Sequence, residues 1–323
     1  MKRVLTGIQS SGTPHLGNIL GAILPAIELS QKIESFLFIA DLHALTTLKN
    51  KDLVKKNSIE TAAAWLAFGL DTSKNVLYKQ SDVPQVTELM WYLNCITPYP
   101  MLANAHSFKD KSNNLSDVNA GLFTYPVLMA ADIILYNADT VPVGKDQLQH
   151  LEITRDIANK FNNHFGDTFV IPEASVKKNT LIVPGTDGRK MSKSYSNTIN
   201  ILGSENTIKK QIMGIITDSK GLEEPKDPSN CNIFKIYKLL ASDFDTEKLR
   251  LKYLSGGFGY GHAKKELLEL IVKKFEKPRK RFDELMNSHE RITSELKKGS
   301  EIANETANSV LKKVRQNLGL VRA

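Results

Sequence analysis

Two short, widely separated segments carry residue types suited to phosphate chemistry. The first, Gly7-Ile8-Gln9-Ser10-Ser11-Gly12-Thr13-Pro14-His15-Leu16-Gly17-Asn18, follows the apolar run that begins at Val4 and precedes a periodic stretch through Ile19, Leu20, Ile23, Leu24 and Ile27. That order reads as strand, flexible turn and helix. Glycines let backbone approach a ligand closely, and a helix N-terminus offers unpaired N–H groups and partial positive charge to phosphates. His15 and Asn18, one helical turn apart, can face the same ligand. The second segment, Lys190-Met191-Ser192-Lys193-Ser194, follows the loop Pro184-Gly185-Thr186-Asp187-Gly188-Arg189. Its lysines are compact, mobile cations suited to neutralising charge that builds on a pyrophosphate leaving group. Taken singly, the first segment also reads as a glycine-rich turn capped by His15, and the second as a solvated basic loop.

The elements that must position these segments alternate along the chain. Short β-like runs at Phe36 to Ala40, Val76 to Lys79, Thr140 to Val143 and Phe169 to Ile171 are separated by helical patterns such as Ser58 to Leu70 and Val83 to Leu93. Alternation of this kind predicts an α/β fold: a Rossmann-like parallel sheet covered by helices, with ligands at the C-terminal ends of its strands. After about Tyr195 the character changes. Helical patterns at Thr207 to Ile216, Asn232 to Ala241, His262 to Asn287 and Ser300 to Asn317 predict a helical C-terminal domain, giving domains at 1–194 and 195–323. Within it Lys264, Lys265, Lys273, Lys274, Lys277, Arg279, Lys280 and Arg281 form a basic cluster that reads either as phosphate contacts along RNA or as a solvated helix face.

Composition sets outer bounds. The 323 residues are 41% hydrophobic and 24% charged with net charge +8, enough chain for a large core and two domains, with a modest bias towards a polyanionic partner. Cys95 and Cys231 belong to no C-x-x-C pair, which argues against zinc, iron–sulfur or disulfide frameworks and predicts two buried thiols. No leader-like N-terminus and no membrane-length apolar run is read, so the expected location is cytoplasmic.

The middle stretch Gly121-Leu122-Phe123-Thr124-Tyr125-Pro126-Val127-Leu128-Met129-Ala130-Ala131-Asp132-Ile133-Ile134-Leu135-Tyr136, followed by Val141-Pro142-Val143-Gly144-Lys145-Asp146-Gln147, is the most specific. With the H-x-G-N form of the first segment and the KMSKS form of the second, the chain resembles bacterial-type tryptophanyl-tRNA synthetases along essentially its whole length. These are class I aminoacyl-tRNA synthetases whose near relatives are the tyrosyl enzymes. Asp132 is costly to bury unpaired among Met129, Ala130, Ala131, Ile133 and Ile134. The resemblance implies that it accepts the indole N–H of tryptophan while Met129 packs on the ring; tyrosyl enzymes usually carry glutamine at that position. It further implies that Gln147 and Tyr125 hold the substrate ammonium and that Gly7, His43, Val141 and Val143 complete the pocket. His43 also reads as a packed loop residue.

By the same resemblance Gln9, Ser10, Ser11, His15, Gly17, Asn18 and Ile182 match adenosine-binding positions, and Gly144, Lys145 and Asp146 a ribose loop. Lys111, with Lys190 and Lys193, would surround the triphosphate, Met191, Ser192 and Ser194 completing the mobile loop; Lys111, Lys190, Lys193 and Gln9 form the implied catalytic set. The implied reaction is attack of the tryptophan carboxylate on ATP, with Mg2+ on the nucleotide and no metal site on the protein, then transfer to tRNA(Trp). A homodimer is implied, with neither membrane nor DNA as partner. Tyr195-Ser196-Asn197 departs from the commoner Asp-Pro-Asn. The alternatives are a tyrosyl-tRNA synthetase, a nucleotidylyltransferase such as a pantothenate synthetase, and a paralogue that only binds tryptophan or RNA.

Overall fold

The computed structural model describes residues 2–105, 108, 118–144, 147–176 and 182–320. Five strands form one parallel sheet in the order β3-β2-β1-β4-β5: β1 (Arg3–Gln9), β2 (Glu34–Ala40), β3 (Val76–Lys79), β4 (Thr140–Val143) and β5 (Glu173–Val176). β2 is buried from Ser35 to Ala40, as its unbroken apolar run requires when both sheet faces are covered. The order reverses at β1, which pairs with β2 on one side and β4 on the other, opening a crevice at their C-terminal ends.

Helices cover both faces. The first crossover is α1 (Leu16–Asn18), a π turn (Ile19–Ile23) and α2 (Leu24–Ser30). Pro25 has no N–H to give, and its ring crowds the carbonyl four residues back, Gly21, within that π turn. Then come α3 (Asp41–Ala44), α4 (Lys51–Ala67), α5 (Gln85–Ile96), α6 (Tyr99–Ala103), α7 (Ala120–Ile134) and α8 (Leu148–Phe165). Core residues of α1, α2 and α4 pack with Leu37, Ile39 and Leu77 on one face, and those of α5, α7 and α8 with Phe36, Phe38 and Tyr78 on the other.

The expected strand at Phe169 to Ile171 is instead a loop, and the pairing strand starts four residues later at Glu173. Phe169 is drawn into the core against Phe161, with ring centroids 4.8 Å apart, and its N–H is taken by the Asn162 side chain at 2.9 Å, so it cannot join the ladder. Cys231 is buried as expected, but Cys95 lies exposed on the outer face of α5.

The remainder is helical: α9 (Glu205–Met213), α10 (Asn232–Lys238), α11 (Asp243–Ser255), α12 (Tyr260–Lys274), α13 (Glu276–Asn287) and α14 (His289–Asn317). The single pattern expected over His262 to Asn287 is two helices. Pro278 cannot donate to the carbonyl of Lys274 and would clash with it, so α12 ends there and Phe275 turns into the core against Phe68. α14 returns to the sheet edge. A Cβ on Gly299 would overlap the Leu77 backbone, so only glycine permits this approach to β3. No helix among the described residues is long and apolar enough to cross a membrane.

Candidate active site

At the C-terminal ends of β1, β2 and β4 lies a cavity of about 430 Å³. Gly7, His43, Tyr125, Met129, Asp132, Val141, Val143 and Gln147 all line it, together with Gln9. All eight residues expected to hold the amino acid therefore share one wall-to-wall space. Gly7 keeps that space open: a Cβ there would run into the Phe38 ring. A larger cavity, about 1190 Å³, lies between α3, α4 and α14 and is lined by none of the expected site residues.

Asp132 sits on α7, 3% exposed, and it is paired. The Gln80 amide donates to both carboxylate oxygens, at 3.0 and 2.7 Å, and His43 Nε2 lies 3.3 Å from Oδ2. Burial pushes the Asp132 pKa up; the His43 contact and the Gln80 hydrogen bond pull it back down, and the nearby Asp41 charge adds a small upward push. Gln80 also accepts the His43 backbone N–H at 3.2 Å, and Asp41 accepts the Ser81 N–H at 2.9 Å. The short helix α3 and the turn after β3 are thereby locked together, aiming imidazole and amide at one carboxylate. Gln80 was not among the expected site residues, nor was His150, whose Nε2 lies 3.1 Å from the Tyr125 hydroxyl. The available signal for Gln80 was a polar side chain directly after a strand end, beside the strand end that carries His43.

The nucleotide-type segment closes the other side of the crevice. His15 caps α1: its Nδ1 accepts the Asn18 N–H at 3.3 Å while the Asn18 side chain accepts the His15 N–H at 3.2 Å, a reciprocal capping box. Burial first, and the Lys193 charge second, lower the His15 pKa to about 4, so the ring is neutral at physiological pH and Nδ1 can act as an acceptor. Ser10 is fully buried with its Oγ lacking a hydrogen-bond partner among the described residues. Gln9 and Ser11 face solvent at the end of β1.

The lysine loop is docked on this turn. Met191 is buried, and its sulfur accepts the Gly17 N–H at 3.3 Å. Ser192 caps the short turn Lys193–Tyr195, taking the Ser194 N–H at 3.3 Å. A Cβ on Gly12 would lie 3.0 Å from Lys193 Nζ, so that ammonium packs against the first loop. Asn197 braces the far side, its Oδ1 accepting the Ser192 N–H at 2.7 Å and its amide donating to Asp187 and the Lys190 carbonyl. Lys190 begins the loop, bridged to Pro184. Gly144 directly follows β4, its carbonyl accepting the Gln147 N–H at 3.0 Å. Ile182 is 64% exposed and lies outside the cavity. Lys111, Lys145 and Asp146 fall outside the described residues.

A pocket ending in a buried carboxylate, with Gln9 on its wall leading along the chain into a glycine-bounded helix N-terminus and its docked lysine loop, has parts for one mainly apolar ligand with a single donor group and another with phosphates. Known proteins resemble the chain along nearly its whole length. The model for tRNA synthetases class I (W and Y) matches residues 1–276. The tryptophan–tRNA ligase of Campylobacter jejuni is 48% identical over 318 residues, 98% of this chain and all of that protein, and that of Rhodopirellula baltica is 47% identical over 318 residues, 98% and 99% of the two. The crystal structure of tryptophanyl-tRNA synthetase from Campylobacter jejuni complexed with ADP and tryptophan superposes with a TM-score of 0.94 at 47% identity, covering 98% of this chain and 100% of that one. By sequence, architecture and the residues its crevice gathers, the chain belongs to the class I tRNA synthetases of the tryptophan and tyrosine type.

Proposed function

We propose that this chain is a tryptophan–tRNA ligase that activates L-tryptophan with ATP and then transfers it to tRNA(Trp). The observation that carries the reading is Asp132, a buried carboxylate oriented by Gln80 and His43 in a cavity where Met129 and Val141 supply apolar wall. Tryptophan has one side-chain donor and a large apolar surface, which is what such a pocket can satisfy; a tyrosine hydroxyl needs further polar partners.

Gln147 and Tyr125 hold the ammonium group, leaving the substrate carboxylate directed at the nucleotide. His15, Gly17 and Asn18 present the α1 N-terminus to the phosphates, with Gln9, Ser10, Ser11 and Ile182 around the adenosine and Gly144, Lys145 and Asp146 at the ribose. The carboxylate oxygen attacks the α-phosphorus, the bond to the bridging oxygen breaks, and pyrophosphate leaves as tryptophanyl-adenylate forms. Lys190, Lys193 and Lys111 neutralise the departing charge, and Gln9 orients the reacting groups. Positioning and electrostatic stabilisation are the whole of the protein's part, since no covalent enzyme intermediate is needed. Mg2+ would be held by the triphosphate oxygens and water, its usual ligands at nucleotide sites. When bound it shields phosphate charge.

Residues 1–194 form the catalytic domain and 195–323 the helical tRNA anticodon-binding domain. Of the basic cluster there, Lys264 donates to the Met213 carbonyl at 2.8 Å and Arg279 pairs with Glu205, whereas Lys265, Lys273, Lys274, Lys277, Lys280 and Arg281 are exposed and suit an RNA backbone. The working unit is a cytoplasmic homodimer. Trp91 on α5 and Tyr99 at the start of α6, 67% and 71% exposed, lie on either side of the exposed Cys95 in the chain, apolar surface suited to a second copy. Trp91→Glu should halve the mass seen by light scattering; an unchanged mass moves the interface elsewhere.

The deciding experiment is exchange of labelled pyrophosphate into ATP without tRNA, with tryptophan and tyrosine in parallel. Exchange with tryptophan alone is expected. Exchange with tyrosine would keep the fold and overturn the specificity, and no exchange with either would leave a binding paralogue.

A further inference from the structure

One buried carboxylate beside the lysine loop has no part in the reaction set out above. Glu60, on the inner side of α4, is buried, and its Oε2 accepts the Thr13 hydroxyl at 2.6 Å. Its Oε1 lies 3.8 Å from Lys56 Nζ, a lysine that is itself largely in water. Thr13 adjoins Gly12, whose φ of +128° turns the backbone so that Lys193 Nζ can pack where a side chain would otherwise project. The ammonium thus rests against Gly12, and Glu60 holds the adjoining backbone by the Thr13 hydroxyl.

Taking the ligase reading as given, we propose that Glu60 is a positioning residue that tethers the first loop through Thr13 and holds the Lys193 ammonium against it, so that the lysine loop is docked before the triphosphate arrives. A half-buried ammonium beside a helix N-terminus is in a hostile place. Burial lowers the Lys193 pKa to about 8, and Glu60 is the group that opposes this. Among the described residues His15 also bears on Lys193, and burial keeps it neutral at neutral pH, while Lys56 on α4 pairs with the other oxygen of Glu60. The incoming triphosphate then takes over from Glu60 as the lysine's counter-charge.

The sign of the effect follows. Lys193 is a cation below its pKa and loses its charge as pH rises through about 8, so the rate should fall on the alkaline side, and removing Glu60's charge should move that fall to lower pH. The test is tryptophan-dependent pyrophosphate exchange at low ATP from about pH 6.5 to about pH 10 for the wild type, Glu60→Gln, Glu60→Asp and Thr13→Val. Glu60→Gln should shift the alkaline limb of kcat/KM for ATP downward by about half a pH unit or more. Glu60→Asp and Thr13→Val should leave the limb in place but raise KM for ATP roughly threefold or more, because each loses the tether and keeps the charge. In a Lys193→Arg background the Glu60→Gln shift should vanish, since a guanidinium does not titrate in this range. An alkaline limb in Glu60→Gln that coincides with the wild type overturns the proposal, whatever happens to the overall rate. If Glu60→Gln does not fold, unchanged KM for ATP in both Glu60→Asp and Thr13→Val overturns it instead. Failure of the wild type to exchange at all would be failure of the ligase reading, a separate result.

Discussion

A carboxylate is an awkward choice for an apolar pocket, and its neighbours decide whether it can serve as an acceptor. Asp132 receives two hydrogen bonds from Gln80 and faces His43, and these contacts offset part of the burial that raises its pKa. It accepts the indole N–H best when ionised. Tryptophan affinity should therefore be full above the raised pKa and be lost as pH falls through it, in a window above the ordinary carboxylate range. His43→Ala removes two of the downward influences and should move that acid limb to higher pH. Asp132→Asn keeps the shape but replaces a charged acceptor; losing a charge-assisted hydrogen bond of about 1.5–3 kcal/mol should cost roughly 10- to 150-fold in kcat/KM for tryptophan. Both follow from the exchange assay against pH and tryptophan concentration, and an unchanged acid limb in His43→Ala would show that another group titrates there.

Elements whose residues carry their own signal were readable from the chain, and those defined by a distant partner were not. β1 to β4 announced themselves as short apolar runs, and the family resemblance named eight residues that line the cavity at their ends. Gln80 showed only as a polar residue after a strand end because its meaning comes from Asp132, 52 positions away, and Glu60 did not show at all because its partner Thr13 is 47 positions back. Helical periodicity likewise could not register the break at Phe275, since α12 and α13 each keep the pattern and only Pro278 and a packing contact separate them. The docking of the lysine loop is another such partnership, made through Gly17 and Met191. A Cβ on Gly17 would lie 3.0 Å from the His15 ring and 3.4 Å from Met191 Cβ, so Gly17→Ala must displace the cap or the loop. KM for ATP should rise about tenfold, equivalent to roughly 1.4 kcal/mol, while tryptophan binding in the absence of nucleotide stays as in the wild type. Equal losses for both ligands would indicate damage to the sheet rather than to the loop.

At the scale of the whole molecule, the last helix makes one body of the two halves. α14 leaves the helical region at His289 and ends beside the sheet, where Ala303, Ala307, Val310, Leu311 and Val314 join the core built by α5, α7 and α8. Polar contacts follow the same path: Asn304 donates to the Asp82 carbonyl at 2.8 Å, Gln85 to Asn308 at 2.8 Å, and Arg315 makes a two-pronged pair with Glu88 at 2.6 Å on each arm. These contacts differ in weight. The Arg315 pair is two-pronged and only 16% and 28% exposed, so it is worth more than an open surface pair, on the order of 1–2 kcal/mol, and Arg315→Ala should lower the Tm by a few degrees. Gly299 is pressed onto the Leu77 backbone, which cannot yield as a side chain would, so Gly299→Val must push α14 off β3 and uncover part of a shared core. Overpacking of this kind costs about 1–3 kcal/mol before the separation of the helix is counted, so its Tm should fall by more than that of Arg315→Ala. Both tryptophans, Trp65 and Trp91, lie in the sheet half, so their fluorescence reports on that half while far-ultraviolet circular dichroism reports on all the helices. In the wild type the two signals should melt together, because α14 belongs to both halves. In Gly299→Val they should separate, with fluorescence changing first as β3 loses its cover. Coincident melting at the wild-type temperature would mean that α14 rides on the sheet without holding it.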